Sequence, residues 1–158
     1  PLLQALADPT AVRIAAIIDR QMRMLTRLVD DLTDASRIRT GKLDLRWENI
    51  DLAEVLRDAL MTIAPEAEQR RHVVVDELPR APVGLRGDAI RLRQVFCNLL
   101  RNACKFTPAG GRIDVQLSQD GRQAVVRVSD NGVGIPTHRL ATIFERLAQA
   151  DTPYDMRT

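Results

Sequence analysis

Aromatic residues are scarce in this sequence: three Phe, one Trp and one Tyr make up 3% of its 158 residues. That scarcity argues against the stacking platforms on which single-stranded nucleic acids bind. Charge of one sign is not concentrated either. Lys and Arg number 23 against 21 Asp and Glu, a net charge of +2, without a block of like charges. Neither a nucleic-acid arm nor a basic membrane-binding tail is expected. No apolar run approaches the roughly 20 residues that span a bilayer. The opening Pro1-Leu2-Leu3-Gln4 lacks the basic start and apolar core of a signal peptide. These absences predict a cytoplasmic domain with no direct membrane contact and no nucleic-acid partner. Cysteine is limited to Cys97 and Cys104, both in one predicted helix. Their spacing puts them roughly 10 Å apart along the axis, too far for a disulfide, so two reduced, packed thiols are expected.

What is present fits a globular chain. The hydrophobic share is 45% and the charged share 28%, and 158 residues are enough for one domain plus a helical appendage. Asp8 and Pro9 suit the start of a long helix. Ala11, Ala15, Ile18, Met22, Leu25, Val29 and Leu32 then recur at alternating spacings of four and three, with Ile14 and Leu28 widening the stripe. That heptad pattern implies a seam against another helix. Gly41 is placed to end the element, which would be roughly 45 Å long.

After Gly41 the period changes. Leu43, Leu45 and Trp47 alternate with polar residues and predict a strand. Asp51 and Glu54 open a second helix carrying Leu52, Val55, Leu56, Leu60 and Ile63, which Pro65 should kink or interrupt. Strands are expected at residues 72–75 and 83–86. Asp88 caps a third helix over about 89–105. Two alternating strands follow, one with Ile113, Val115 and Leu117, the other with Ala124, Val126 and Val128. Gln119-Asp120-Gly121 joins them as a hairpin. A loop from Asp130 to Pro136 leads to a short helix around 138–147. The order reads as a helical arm followed by an α+β, two-layer sandwich with helices on one face of the sheet.

The third helix carries the chemistry. Leu92, Phe96, Leu99, Leu100 and Ala103 cluster on one side, while Asn98, Asn102 and Lys105 form a stripe elsewhere at i, i+4 and i+7. A solvated face would also read this way. Asn is a poor helix former, however, because its amide competes for backbone hydrogen bonds. Two of them one turn apart suggest a task. An amide oxygen can hold Mg²⁺ without adding charge beside phosphates, and a Lys one turn on can neutralise phosphate oxygens. The second feature is Asp130-Asn131-Gly132-Val133-Gly134-Ile135-Pro136. Asn-Gly is a hairpin signal, but the residues that follow read as helix rather than as a returning strand. In the alternative, Asp130 accepts a hydrogen bond from a base amino group, and the glycines admit close backbone approach.

At these residues the chain resembles the sensor histidine kinases of two-component systems. Arg93-Gln94-Val95-Phe96-Cys97-Asn98-Leu99-Leu100-Arg101-Asn102-Ala103-Cys104-Lys105-Phe106-Thr107-Pro108 is similar to their asparagine box, and Asp130 to Pro136 to their first glycine box. Ile143-Phe144-Glu145-Arg146 resembles the phenylalanine box. Asp30 to Leu43 resembles the joint between dimerisation helices and catalytic domain. The resemblance implies a mixed sheet covered on one face by helices, with ATP and Mg²⁺ as cofactors. Asn102 would coordinate the metal, supported by Asn98, and Lys105 would contact the phosphates. Phe106 would pack near the base and Asp130 would bind the adenine amino group. Gly132, Gly134 and Ile135 would line the pocket.

Related ATPases carry a Glu one turn before the metal-binding Asn, to activate water. Asn98 stands at that position and cannot act as a base, so the resemblance implies phosphoryl transfer to a histidine, for relay to a response regulator. The histidines present, His72 and His138, lack the acceptor's context. The acceptor and the phosphate-covering second glycine box are expected outside this sequence, and no catalytic residue is assigned within it. Residues 1–41 are expected to be part of a dimerisation region that forms a homodimer through a helical bundle, and 42–158 the ATP-binding domain. The competing reading is a non-catalytic dimerisation or scaffold module on a degenerate nucleotide-binding fold.

Overall fold

The computed structural model describes residues 10–15, 17–18, 21–22, 25–26, 29 and 44–140. The expected features at residues 30–43 and 141–147 lie outside these. The chain divides into two compact units, Pro1–Leu45 and Arg46–Thr158. In the first, the described residues from 10 to 29 are helical. Ile14, Ile18, Met22, Leu25 and Val29 of the apolar stripe are exposed. Among the described residues no helix is long and apolar enough to cross a membrane.

The second unit runs β1 (Glu48–Asp51), α1 (Leu52–Gln69), β2 (Val73–Glu77), β3 (Gly84–Gly87), α2 (Ala89–Phe106), β4 (Arg112–Asp120) and β5 (Gln123–Asp130). A one-turn 3₁₀ helix follows at Thr137–Arg139. β1 pairs antiparallel with β3, while β2 runs parallel to β4, which runs antiparallel to β5. The three-stranded sheet is therefore mixed and the two-stranded one antiparallel, and the two long helices supply the second layer. Ile113, Val115 and Leu117 of β4 alternate into the core, where Leu56, Ala59 and Ile63 of α1 and Phe96, Leu100 and Ala103 of α2 are also buried. Fully burying a side chain such as Leu56, Ile63 or Leu100 stabilises by about 1.5–3 kcal/mol.

Caps fix the helix starts. Asp51 accepts from Ala53 N–H at 3.0 Å and from Val83 N–H at 2.8 Å, so one carboxylate opens α1 and ties it to the segment before β3. Asp88 is buried and uses both oxygens, one for Arg91 N–H at 3.0 Å and one for Arg46 N–H at 2.9 Å. The Arg46 amide, then that of Arg91, holds this carboxyl below its ordinary pKa. Its folded value lies below the unfolded one, so its stabilisation is present above the ordinary Asp pKa of about 3.9 and is lost as pH falls through the lowered value. Asp88→Asn supplies one oxygen for two donors. It is expected to lower the thermal midpoint at pH 7, with a deficit that shrinks as pH falls through the lowered pKa, where the native carboxyl protonates too. Circular-dichroism melts across pH would check this; a deficit independent of pH would overturn it.

Three local expectations shift. The described strand begins at Glu48, after Leu45 and Trp47. Glu48 opposes Gly87, the last residue of β3, so residues 44–47 find no ladder partner; Arg46 gives its amide to Asp88 instead. Helix α1 runs through Pro65 to Gln69. The proline removes the bond to the Met61 carbonyl, but Met61 is exposed and water can take its place. Leu99, assigned to the core, is 44% exposed.

α1 ends in a Schellman motif, with His72 N–H on Ala67 O and Arg71 N–H on Glu68 O, both at 2.9 Å. Arg71 occupies the left-handed position, φ 58°, which costs a non-glycine residue about 1–2 kcal/mol. Glycine would remove that strain and forfeit about 0.5–1 kcal/mol of chain entropy. Arg71→Gly is therefore expected to raise the melting midpoint by about 2–4 °C per kcal/mol gained. A lower midpoint in calorimetry would show that the Arg71 side chain outweighs the strain.

Candidate nucleotide site

The site forms where α2 meets the loop after β5. At 100° per residue, the exposed face of α2 reads Lys105, Asn98, Asn102, Val95, Phe106, Leu99 around the cylinder. All six are exposed. Asn102 thus stands between a polar edge and an apolar edge. The polar edge suits phosphates, and the apolar edge suits a flat base. Val95 and Leu99 were not singled out as site residues. The signal was present: Leu99 adjoins Asn98 and lies three residues before Asn102, which turns it away from Leu100. Lys105 Nζ lies 4.9 Å from the centroid of the Phe106 ring, within cation–π range.

The glycine loop docks against the C-terminal end of this helix. Val133 N–H donates to Phe106 O at 3.2 Å. A side chain on Gly132 would come within 2.5 Å of that carbonyl oxygen. Asp130 ends β5, is exposed, and folds back so that Oδ1 accepts from Gly132 N–H at 2.9 Å. Asn131 pins the other side: its Oδ1 accepts from Arg112 N–H at 2.7 Å, and its own N–H donates to Arg112 O at 3.2 Å. Gly134 takes φ +70°, a left-handed conformation natural to glycine. Ile135 is exposed. The structure therefore joins Phe106 to the loop of Asp130, Gly132 and Gly134, with Asn98, Asn102 and Lys105 on the same helix.

The donor set suits Mg²⁺ held together with a polyphosphate. Asn98 and Asn102 offer exposed, neutral, hard oxygens one turn apart, which Mg²⁺ accepts alongside water and phosphate. Among the described residues no cluster of three or more His, Cys, Asp or Glu could hold a metal without such help. The cysteines take no part: both are buried and free, and burial, aided by the Glu66 carboxylate, pushes the Cys104 thiol up despite Arg70. His72 Nε2 lies 3.1 Å from Cys104 O, a structural contact. An open recess lined by Val83, Gly84, Leu85, Gln119, Arg122 and Ala124 shares no residue with the stripe.

These features define a two-layer α+β sandwich with a polar helix stripe beside a glycine loop. A family profile described as "Histidine kinase-, DNA gyrase B-, and HSP90-like ATPase" matches residues 87–157. The alginate biosynthesis sensor protein KinB of Pseudomonas aeruginosa is 35% identical over 147 residues, 90% of this chain and 24% of KinB. The cytoplasmic segment of histidine kinase QseC superposes with a TM-score of 0.53 and 32% identity, over 70% of each chain. Full-length ShkA in complex with AMPPNP superposes with a TM-score of 0.70 and 25% identity, over 87% of this chain and 30% of that one. The chain belongs to the histidine kinases. It spans about a quarter of the length of KinB and 30% of the "Probable sensor histidine kinase TcrY" of Mycobacterium tuberculosis.

Proposed function

We propose that this chain is the ATP-binding catalytic portion of a two-component sensor histidine kinase. It moves the γ-phosphoryl of Mg·ATP onto a histidine outside this sequence, for relay to a response-regulator aspartate. The observation that carries the reading is the junction at Phe106, where the Asn98, Asn102, Lys105 face of α2 meets the Asp130 loop. Asn102, seconded by Asn98, holds the metal that neutralises phosphate charge. Lys105 leaves the Phe106 ring to reach the phosphates. Asp130 uses its second carboxylate oxygen to accept a hydrogen bond from the adenine amino group, against Gly132, Gly134 and Ile135. The chain's own contribution is positioning and charge neutralisation, which phosphoryl transfer chiefly requires. Asn98 supplies no base to activate water, which favours transfer to a protein group over hydrolysis. The nucleotide analogue on ShkA supports the choice of ligand.

Residues 1–41 are assigned to a dimerisation region and 42–158 to the ATP-binding domain. The exposed stripe of Ile18, Met22, Leu25 and Val29 suits a homodimeric helical bundle. The domain works in the cytoplasm, where ATP and the regulator are found, whether or not a longer protein is anchored elsewhere. Calorimetry with Mg·ATP, followed by transfer of labelled γ-phosphate in the full-length protein, tests the assignment. Saturable binding with acid-labile, base-stable label on the protein is the expected result. Absence of Mg·ATP binding by the full-length protein would sink it.

A further inference from the structure

The last four carbonyls of a helix have no partner inside it. In α2 these belong to Ala103, Cys104, Lys105 and Phe106, and each is taken. Ala103 O accepts from Thr107 N–H at 3.0 Å, and Phe106 O from Val133 N–H at 3.2 Å. The middle two are served by a residue far away in sequence. Arg70, the residue that caps α1, donates from one guanidinium nitrogen to Cys104 O at 3.2 Å and to Lys105 O at 3.4 Å. His72 shares Cys104 O, so Arg70 is the side chain that serves the Lys105 carbonyl.

We propose that Arg70 is a positioning residue for the nucleotide site, holding the last turn of α2 so that Phe106 meets the glycine loop with Lys105 beside it. This rests on the nucleotide reading above. The backbone around Arg70 is itself anchored: its carbonyl accepts from Gly110 N–H at 3.0 Å, and Val73 N–H donates to Gly111 O at 2.9 Å. The next residue, Arg112, carries the Asn131 contact. Two routes thus run from the α1–β2 turn to the glycine loop, one through the α2 carbonyls and one through residues 110–112. The charge has the right sign as well. A helix C-terminus carries a partial negative charge, and a cation there offsets it where an anionic polyphosphate is to bind. Lys105 cannot do this for its own carbonyl while its ammonium sits over the Phe106 ring.

The test uses the full-length protein with Arg70→Ala and Arg70→Lys, below the melting range of all three. The first measurement needs no nucleotide: hydrogen exchange in peptides covering 103–109 and 130–135, each relative to 113–118 in β4. Arg70→Ala is expected to accelerate exchange in both relative to β4. The second is Mg·ATP affinity by calorimetry, expected to fall about tenfold, as when the outer support of a binding group is removed. Arg70→Lys keeps the charge and, on a single nitrogen, enough N–H donors for both carbonyls, and should recover most of both. Unchanged relative exchange in the two segments, or Mg·ATP affinity within twofold of the parent, overturns the proposal. So does an affinity loss that Lys leaves unrepaired. A parent that exchanges as expected but binds no Mg·ATP refutes the nucleotide reading instead, and with it the site that Arg70 would serve.

Discussion

Asn102→Ala is expected to weaken Mg·ATP binding by more than a hundredfold, about 2.7 kcal/mol or more, while leaving the nucleotide-free protein as stable as before. Asn102 sits mid-way across the exposed face of α2, with Lys105 and Asn98 to one side and Val95, Phe106 and Leu99 to the other. Its amide is solvent-exposed, so its removal opens no cavity. Alanine is the better helix former by roughly 0.5 kcal/mol, so the nucleotide-free melting midpoint should hold or rise slightly. That separation gives the experiment its force. A substitution that leaves the fold intact and abolishes binding locates the metal-bearing oxygen at this side chain. Asn102→Asp is the companion: it keeps an oxygen but adds a negative charge beside the phosphates, and should also bind more weakly. Calorimetry at low salt, with circular-dichroism melts of the same samples, checks both. Unchanged Mg·ATP affinity in Asn102→Ala would refute the assignment.

Much of the fold was legible because its determinants are local. The alternation of Ile113, Val115 and Leu117 and the turn at Gly121, φ +59°, place β4 and β5 within their own stretch of chain. Asp51 and Asp88 announce the starts of α1 and α2 because an N-cap carboxylate acts within three residues. The asparagine stripe was legible for the same reason. What escaped depends on partners far away. The strand near Trp47 starts late because β3 ends at Gly87, which only pairing register reveals. Leu99 is apolar by type but lies outside the arc of Phe96, Leu100 and Ala103 that the sheet covers. Arg71 gives no sign in its residue type of the left-handed backbone it adopts. The contacts that assemble the site, Val133 to Phe106 O and Arg70 to the α2 carbonyls, end on backbone oxygens. A carbonyl is common to every residue, so no motif records it.

Gly132→Ala should be the most damaging small change in the glycine loop, and its mechanism is steric. The added methyl would lie 2.5 Å from Phe106 O, 2.7 Å from Asp130 Oδ1 and 2.9 Å from Phe106 C. Two of these atoms are helix backbone and cannot step aside cheaply. The third is the oxygen that Gly132 N–H already holds at 2.9 Å. Relief therefore requires the loop to lift away from α2. Lifting breaks the Val133–Phe106 bond and turns the Asp130 carboxylate, so the polar and base-reading halves of the site separate. Overpacking of this kind costs about 1–3 kcal/mol, and the nucleotide should lose both the Phe106 and Asp130 contacts together. Gly134→Ala provides the contrast. Nothing lies within 4 Å of its added methyl, and only φ +70° opposes it, at about 1–2 kcal/mol. Its loop can stay docked, so its affinity for Mg·ATP should suffer less than that of Gly132→Ala. Gly84→Ala, with open space and an ordinary backbone, should be nearly silent in both stability and binding. Equal losses of affinity in Gly132→Ala and Gly134→Ala would show that loop flexibility, rather than close packing of residue 132 on the end of α2, sets the pocket.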